Sequence, residues 1–506
     1  MATLPALPTE LHRMILRECD FKAYLSLSLV TKAIHSIAIP YLYREIHWGC
    51  YPGHLTKWSS KNLQHLVRSL IENPRLAAHV RSLNLYIDYE YDFDYEEEYL
   101  ESYPISQADF NIHAQSMVLL RSLEFDDDST GWSDALEAGN PDAWIALLLS
   151  QLGALRSLAL NAPLLHHSTY ITTAFNQLAR IGHFKHLRRV VFGEILPGYE
   201  MAGLRIPNEL VIPLFSLPSL DELELTLTDP MVKTWELDSK KASKSLTKLR
   251  LYRSHITGDD VDGLLSLTPA LREVYCGFLR DEREADITDK IDYSLLHGAL
   301  SRVSGTLEIL AIDVRWNNKS CDAFGVDLGT LGQLPMPPLT EFRALKRLEI
   351  PGDLLLGKKP WTSRSLVDTL PPNLQSLTLK DESATWRMPW GTMSEQTRSR
   401  DNAMQGIIDR IGQYLEHPAR STMLESLTVD LANGPRFSGD LVDPLTDRYY
   451  SVQVEQLRKL AETACVALSV VFARDTGSYT SSAMLVVYDP VDPGMPAVEQ
   501  GVVCTK

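Results

Sequence analysis

The feature that most restricts this chain is a short apolar sentence, Leu-x-x-Leu-x-Leu or a near version. It begins at Val80 (VRSLNL), Leu120 (LRSLEF), Leu155 (LRSLAL), Leu187 (LRRVVF), Leu220 (LDELEL) and Leu246 (LTKLRL). It returns at Leu271 (LREVYC), Leu307 (LEILAI), Leu345 (LKRLEI), Leu374 (LQSLTL) and Leu424 (LESLTV). That makes about eleven copies at spacings of roughly 25 to 50 residues, the mark of a repeat architecture. The last two leucines of each copy alternate as in a strand with one buried face. Amphipathic helical patterns lie between copies, at Pro141 to Leu152, Thr169 to Ile181 and Asp259 to Leu267. Strand, helix, strand in constant order predicts an α/β array, with a parallel sheet backed by helices. No repeat can bury its apolar face alone, so neighbours must stack. The expected form is a curved solenoid over residues 60–450, strands on the concave side and helices on the convex side.

Residues 4–47 read differently. Thr9 can cap a helix behind Pro8, and Leu11, Ile15 and Leu16 follow on one helical face. A second apolar run, Leu25, Leu27, Leu29, Val30, Ala33, Ile34 and Ile37, extends to Pro40. The tail, 451–506, reads as a closing cap. It holds a helix over Val452 to Ala464, then strands over Val466 to Phe472 and Ala483 to Tyr488, then a loose proline-marked end.

The net charge of −16 argues against nucleic acid, which needs a basic field, and against anionic membranes. Six scattered cysteines with no Cys-x-x-Cys pair fit free thiols in a reducing compartment. With no basic-then-apolar leader and no long apolar span, the expected location is cytoplasmic or nuclear.

The first segment resembles the F-box. That family reads Leu-Pro-x-Glu, then Ile-Leu, then a Leu-rich run ending in Val; here Leu7, Pro8, Glu10, Ile15, Leu16, Leu25, Leu27, Leu29 and Val30 match without gaps. Cys19, Ala23-Tyr24 and Thr31 depart from the family's pattern. The ending Ala-Ile-Pro-Tyr-Leu-Tyr-Arg-Glu-Ile is similar to fungal members. The repeats resemble leucine-rich repeats in a degenerate form, with variable lengths and mostly without the usual Asn or Cys after the strand. What the resemblance implies is the substrate-recognition subunit of a Skp–cullin–F-box ubiquitin ligase, a non-catalytic adaptor. The surface for the Skp adaptor would use Leu7, Pro8, Glu10, Leu11, Ile15, Leu16, Leu25, Leu29 and Val30. Through that adaptor the chain would reach a cullin, while the repeats hold a protein substrate. The alternative is a leucine-rich-repeat scaffold acting outside any ligase.

Strand alternation places the residues between and just after the leucines on the concave side. The expected substrate face is therefore Tyr86, Glu124, Glu222, Glu224, Lys248, Arg250, Tyr252 and Tyr275, with Asn84 and Asp126 beside them. No enzyme signature competes with this reading, and no cofactor or metal is expected. Gly352 to Lys359 approaches a phosphate loop, but Lys359 stands where Ser or Thr would hold the metal, and three leucines fill the loop. Adjacent His166 and His167 cannot share one face as a ligand pair. Asp88 to Glu98 alternates acids with aromatics and reads as a solvated insertion, or less simply as a lip for a basic partner.

Overall fold

A computed structural model describes residues 7–50, 60–87, 110–123, 131–166, 168–194, 206–227, 242–281, 292–317, 335–357, 364–380, 405–417, 423–431, 451–474 and 482–488. The chain forms two compact units: residues 1–228 with 243–246, and residues 229–242 with 247–506.

The first unit opens with three helices, α1 (Thr9–Arg17), α2 (Phe21–Ser28) and α3 (Lys32–Leu42). Five strands follow: β1 (Glu45–Cys50), β2 (Ser82–Ile87), β3 (Ser157–Asn161), β4 (Arg189–Glu194) and β5 (Glu222–Leu225). They pair in parallel in chain order. Parallel neighbours require a crossover, and helices such as Ser60–Glu72, Pro141–Gln151 and Tyr170–Arg180 supply it. The inward residues Leu83, Leu85, Leu158, Leu160, Val190, Phe192, Leu223 and Leu225 are buried. Helix Pro141–Gln151 is buried from Ala143 to Ser150, all round rather than along a stripe, as an interior helix should be. It also carries Asp142, whose carboxylate accepts N–H bonds from Thr169, Tyr170 and Ile171 at 2.7–2.8 Å. That carboxylate caps the following helix, Tyr170–Arg180, across the repeat boundary and satisfies donors a helix start leaves open. Phe175 stacks on Phe184 and meets Phe192 of β4 edge to face, with ring centroids 4.8 and 5.8 Å apart.

The second unit continues the same grammar. Strands β6 (Lys248–Ser254), β7 (Glu273–Asp281), β8 (Ile309–Asn317), β9 (Arg347–Pro351), β10 (Ser376–Lys380), β11 (Ser426–Leu431) and β12 (Ala467–Arg474) are parallel in chain order. The final strand, β13 (Ser482–Tyr488), runs antiparallel to β12. Leu249, Leu251, Val274, Cys276, Leu310, Ile312, Leu348, Ile350, Leu377 and Leu379 are buried; neighbours such as Arg250, Tyr275, Glu349 and Thr378 are partly open, whereas Ala311, Asp313 and Lys380 are buried too. Helix Gly258–Ser266 starts at a capping box, Thr257 and Asp260 bonding each other's backbone N–H.

Ten of the repeat sentences are strands, and each strand begins at the third residue of its sentence. The copy at Leu120 differs. Its first three residues end helix Phe110–Ser122, and β2 pairs directly with β3. Met117 and Leu120 are buried three residues apart, the spacing of a helix face. β1 has no leucine sentence at all. In the tail, helix Ser451–Ala464 is followed by β12 and β13, and the proline-marked end lies outside the described residues. The stretch Asp88 to Glu98 lies outside the described residues, as do Glu124, Asp126 and His167.

Candidate functional site

Three short helices need firm ends, and the sequence provides them. Pro8, not Thr9, occupies the position before α1; its carbonyl accepts from Leu11 and His12, and Thr9 is the first helical residue without a side-chain cap bond. Proline's fixed φ suits that place. Glu10 in the first turn and Arg17 in the last match the helix dipole. Asp20 caps α2 by accepting from the Ala23 N–H at 2.8 Å, and Thr31 caps α3 by accepting from Ile34 at 3.1 Å. Leu16, Ile34 and Ala38 form the small interior. The Tyr41 hydroxyl donates to the Arg13 carbonyl, tying α3 to α1.

So small an interior leaves much apolar surface outside. Leu11, Met14, Ile15, Phe21, Leu25, Leu29 and Val30 are all exposed, Leu29 to 80% and Met14 and Phe21 to 60%. These seven come from twenty residues of chain; the other exposed large apolar side chains among the described residues are scattered along the rest. Scattered ones need no explanation, whereas a concentration of this kind is a feature that contact surfaces share.

Of the expected adaptor residues, Pro8, Glu10, Leu11, Ile15, Leu25, Leu29 and Val30 are exposed and Leu7 is half-buried. Leu16 is 2% exposed. It holds the helices together and presents nothing to a partner. Met14 and Phe21 belong to the exposed set and were missed. Met14 could have been found, since it lies three residues from Leu11 on one helical face.

Of the expected substrate residues, Tyr86, Glu222, Lys248, Arg250 and Tyr275 are half-buried, Tyr252 is exposed, and Glu224, expected on an open face, is buried; Glu124 lies outside the described residues. In the first unit, Asn84 and Tyr86 are half-buried, and the Tyr86 ring lies across Gly49 of β1, where no side chain would fit. Glu224 is buried and bonds Arg189 Nη2 at 2.7 Å; Glu222 lies 3.6 Å from the same guanidinium. In the second unit Arg250 donates through Nε and Nη2 to Glu273 at 2.9 and 2.6 Å. Lys248 is half-buried on the same strand. The Tyr275 ring packs at a tilt against Tyr252, centroids 4.7 Å apart, and its hydroxyl donates to buried Asp313 at 2.9 Å. Further along, Lys380 pairs with Glu349. The register slips between Leu251 and Ser254, and Arg253 takes a left-handed φ of 42°. Tyr252 thus stands at a bulge, and at 38% it is the most exposed of the described candidates.

Chemistry finds little purchase. Burial pushes the Cys276 thiol up to about 12, so it stays protonated and unreactive. Leu354, Leu355 and Leu356 are buried in the core after β9, which gives the Gly352 segment a packing role rather than a phosphate-cradling one. Among the described residues no group of three His, Cys, Asp or Glu is placed to hold a metal, and no helix is long and apolar enough to cross a membrane.

Residues 4–42 match the family model of the F-box domain, the stretch that carries the exposed apolar face. No curated protein matches the chain.

Proposed function

We propose that this chain is the substrate-recognition subunit of a Skp–cullin–F-box ubiquitin ligase. The F-box docks on the Skp adaptor, and a degenerate leucine-rich-repeat array holds a protein substrate. The chain itself is non-catalytic; it works by holding the substrate near the enzyme that transfers ubiquitin. Its place is the cytoplasm or nucleus.

The observation that carries this reading is the coincidence of two facts: the segment matching the F-box model is also where exposed apolar side chains concentrate. Burying one large aliphatic side chain is worth about 1.5–3 kcal/mol, so a few leucines can offset the cost of association. Leu25→Ala with Leu29→Ala should reduce co-purification of the Skp adaptor at least tenfold, because both side chains already face solvent and the fold does not need them. Unchanged co-purification from a folded variant overturns the reading. For the substrate face, Tyr252→Ala should lower capture of a substrate found by affinity purification while leaving the adaptor bound.

A further inference from the structure

The residue immediately before each strand of the first unit is an arginine four times in succession: Arg44 before β1, Arg81 before β2, Arg156 before β3 and Arg188 before β4. They are neighbours in space as well. The Arg81 N–H donates to the Arg44 carbonyl at 2.8 Å, Arg156 to Arg81 at 2.7 Å, and Arg188 to Arg156 at 2.8 Å. Parallel strands lie about 4.8 Å apart, so four guanidinium-bearing positions line one sheet edge over roughly 14 Å. The row ends at Asp221, whose N–H donates to the Arg188 carbonyl.

Like charges on adjacent strands repel, so such a row costs the fold unless opposite charge answers it. Little does from within. Arg44 has Glu45 at 3.8 Å, and Arg81 donates to the carbonyls of Ala154 and Val80 at 3.1 and 3.4 Å. Among the described residues Arg156 and Arg188 meet no carboxylate, and both are exposed, as are Lys185 and His186 in the turn before β4. The chain's net charge of −16 does not cancel this field at close range, because physiological salt screens charges beyond about 8 Å.

We propose that this arginine edge binds an acidic stretch of a partner polypeptide. An extended chain advances about 3.3–3.6 Å per residue, so about four consecutive Asp or Glu residues span the row. Guanidinium groups suit carboxylates, which they engage through paired N–H donors. Within the receptor reading, on which this role rests, the acidic stretch belongs to the substrate.

The test uses the full chain and a fluorescent peptide of six glutamates flanked by Gly-Ser, read by anisotropy. The glutamate peptide should bind, a glutamine version should not, and raising salt from 50 to 200 mM should weaken binding at least tenfold. Arg156→Ser with Arg188→Ser should weaken it at least tenfold at constant thermal midpoint, since neither side chain has an ion pair among the described residues. Arg156→Lys with Arg188→Lys should recover most of the affinity. Equal binding of the glutamine peptide, or full binding by the serine variant, overturns the proposal. So does tighter binding of a single-stranded oligonucleotide, which would make this a nucleic-acid edge. If the unaltered chain captures the Skp adaptor but does not bind the glutamate peptide, the arginine edge alone is defeated; if it binds the peptide but not the adaptor, the receptor reading alone is defeated.

Discussion

At the residue scale, His183 shows how one side chain ties stability to pH. Its ring sits beside Gly153 and Phe184 and bonds the Leu149 carbonyl at 3.3 Å. Burial pushes its pKa below the ordinary 6.5, and the hydrogen bond draws it only part of the way back. The folded state therefore holds fewer protons than the unfolded one in this range. Stability that is present above pH 6.5 is lost as pH falls from 6.5 through the depressed folded value. His183→Gln, which keeps an N–H donor but cannot charge, should flatten that part of the profile, as measured by urea unfolding between pH 5 and 7.5. A slope equal to that of the parent would assign the pH dependence to another group. The same scale shows where reading a sequence falls short. Leu16 and Ile15 look alike on a helical pattern, yet Leu16 is buried and Ile15 faces out. Only the crossing of α1 and α3 decides between them. Alternation points Glu222 and Glu224 to an open face, yet Glu224 is buried and both lie beside the Arg189 guanidinium, a partner that spacing within one strand does not reveal.

Elements were easier to read than residues. Ten sentences became strands because alternation with a leucine every second residue has one good solution, a buried sheet face. The copy at Leu120 failed because leucines three apart satisfy a helix equally well, and the neighbouring Ser116 and Met117 are buried on that helix. β1 escaped notice because Glu-Ile-His-Trp-Gly-Cys offers one aliphatic residue and no repeat. It matters for dissection, since β1 pairs with β2 over all six residues from Glu45 to Cys50. A fragment starting at residue 60 loses that strand and bares the β2 edge, a template for aggregation. A fragment starting at Glu45 keeps it. Residues 45–506 should thus elute as a monomer in size-exclusion chromatography and fail to bind the Skp adaptor, whereas 60–506 should aggregate. Equal solubility of the two would show that β1 is dispensable.

For the molecule as a whole, two surfaces of the first unit should respond oppositely to salt. The exposed leucines of α1 and α2 are interleaved with three acids (Glu10, Glu18, Asp20) and three bases (Arg13, Arg17, Lys22), so the face has no net charge and adaptor binding should hold or strengthen as salt rises from 50 to 500 mM. The arginine edge depends on screening-sensitive attraction and should weaken over the same range. Titrating one preparation against both ligands reads the two trends side by side; parallel trends would mean that one of the surfaces is misassigned. Three of the arginines stand in the sequence as the second letter of VRSL, LRSL and LRRV, and Arg44 stands in no repeat sentence. Nothing in linear spacing, though, brings residues 81, 156 and 188 together. The register does, through backbone bonds between loops of unequal length.

The reversed direction of β13 has a consequence for how such a chain can evolve. In a ladder of parallel strands, each outer edge accepts another strand of the same kind, so a duplicated repeat could be appended without limit. One antiparallel strand ends that permission. A copied last repeat would have to pair antiparallel with β13 instead of continuing the parallel ladder, so its strand would meet a hydrogen-bond pattern unlike the one it has in the array. Lineages of this protein should therefore lengthen by duplication inside the array, with β12 and β13 carried along unchanged as the closing pair.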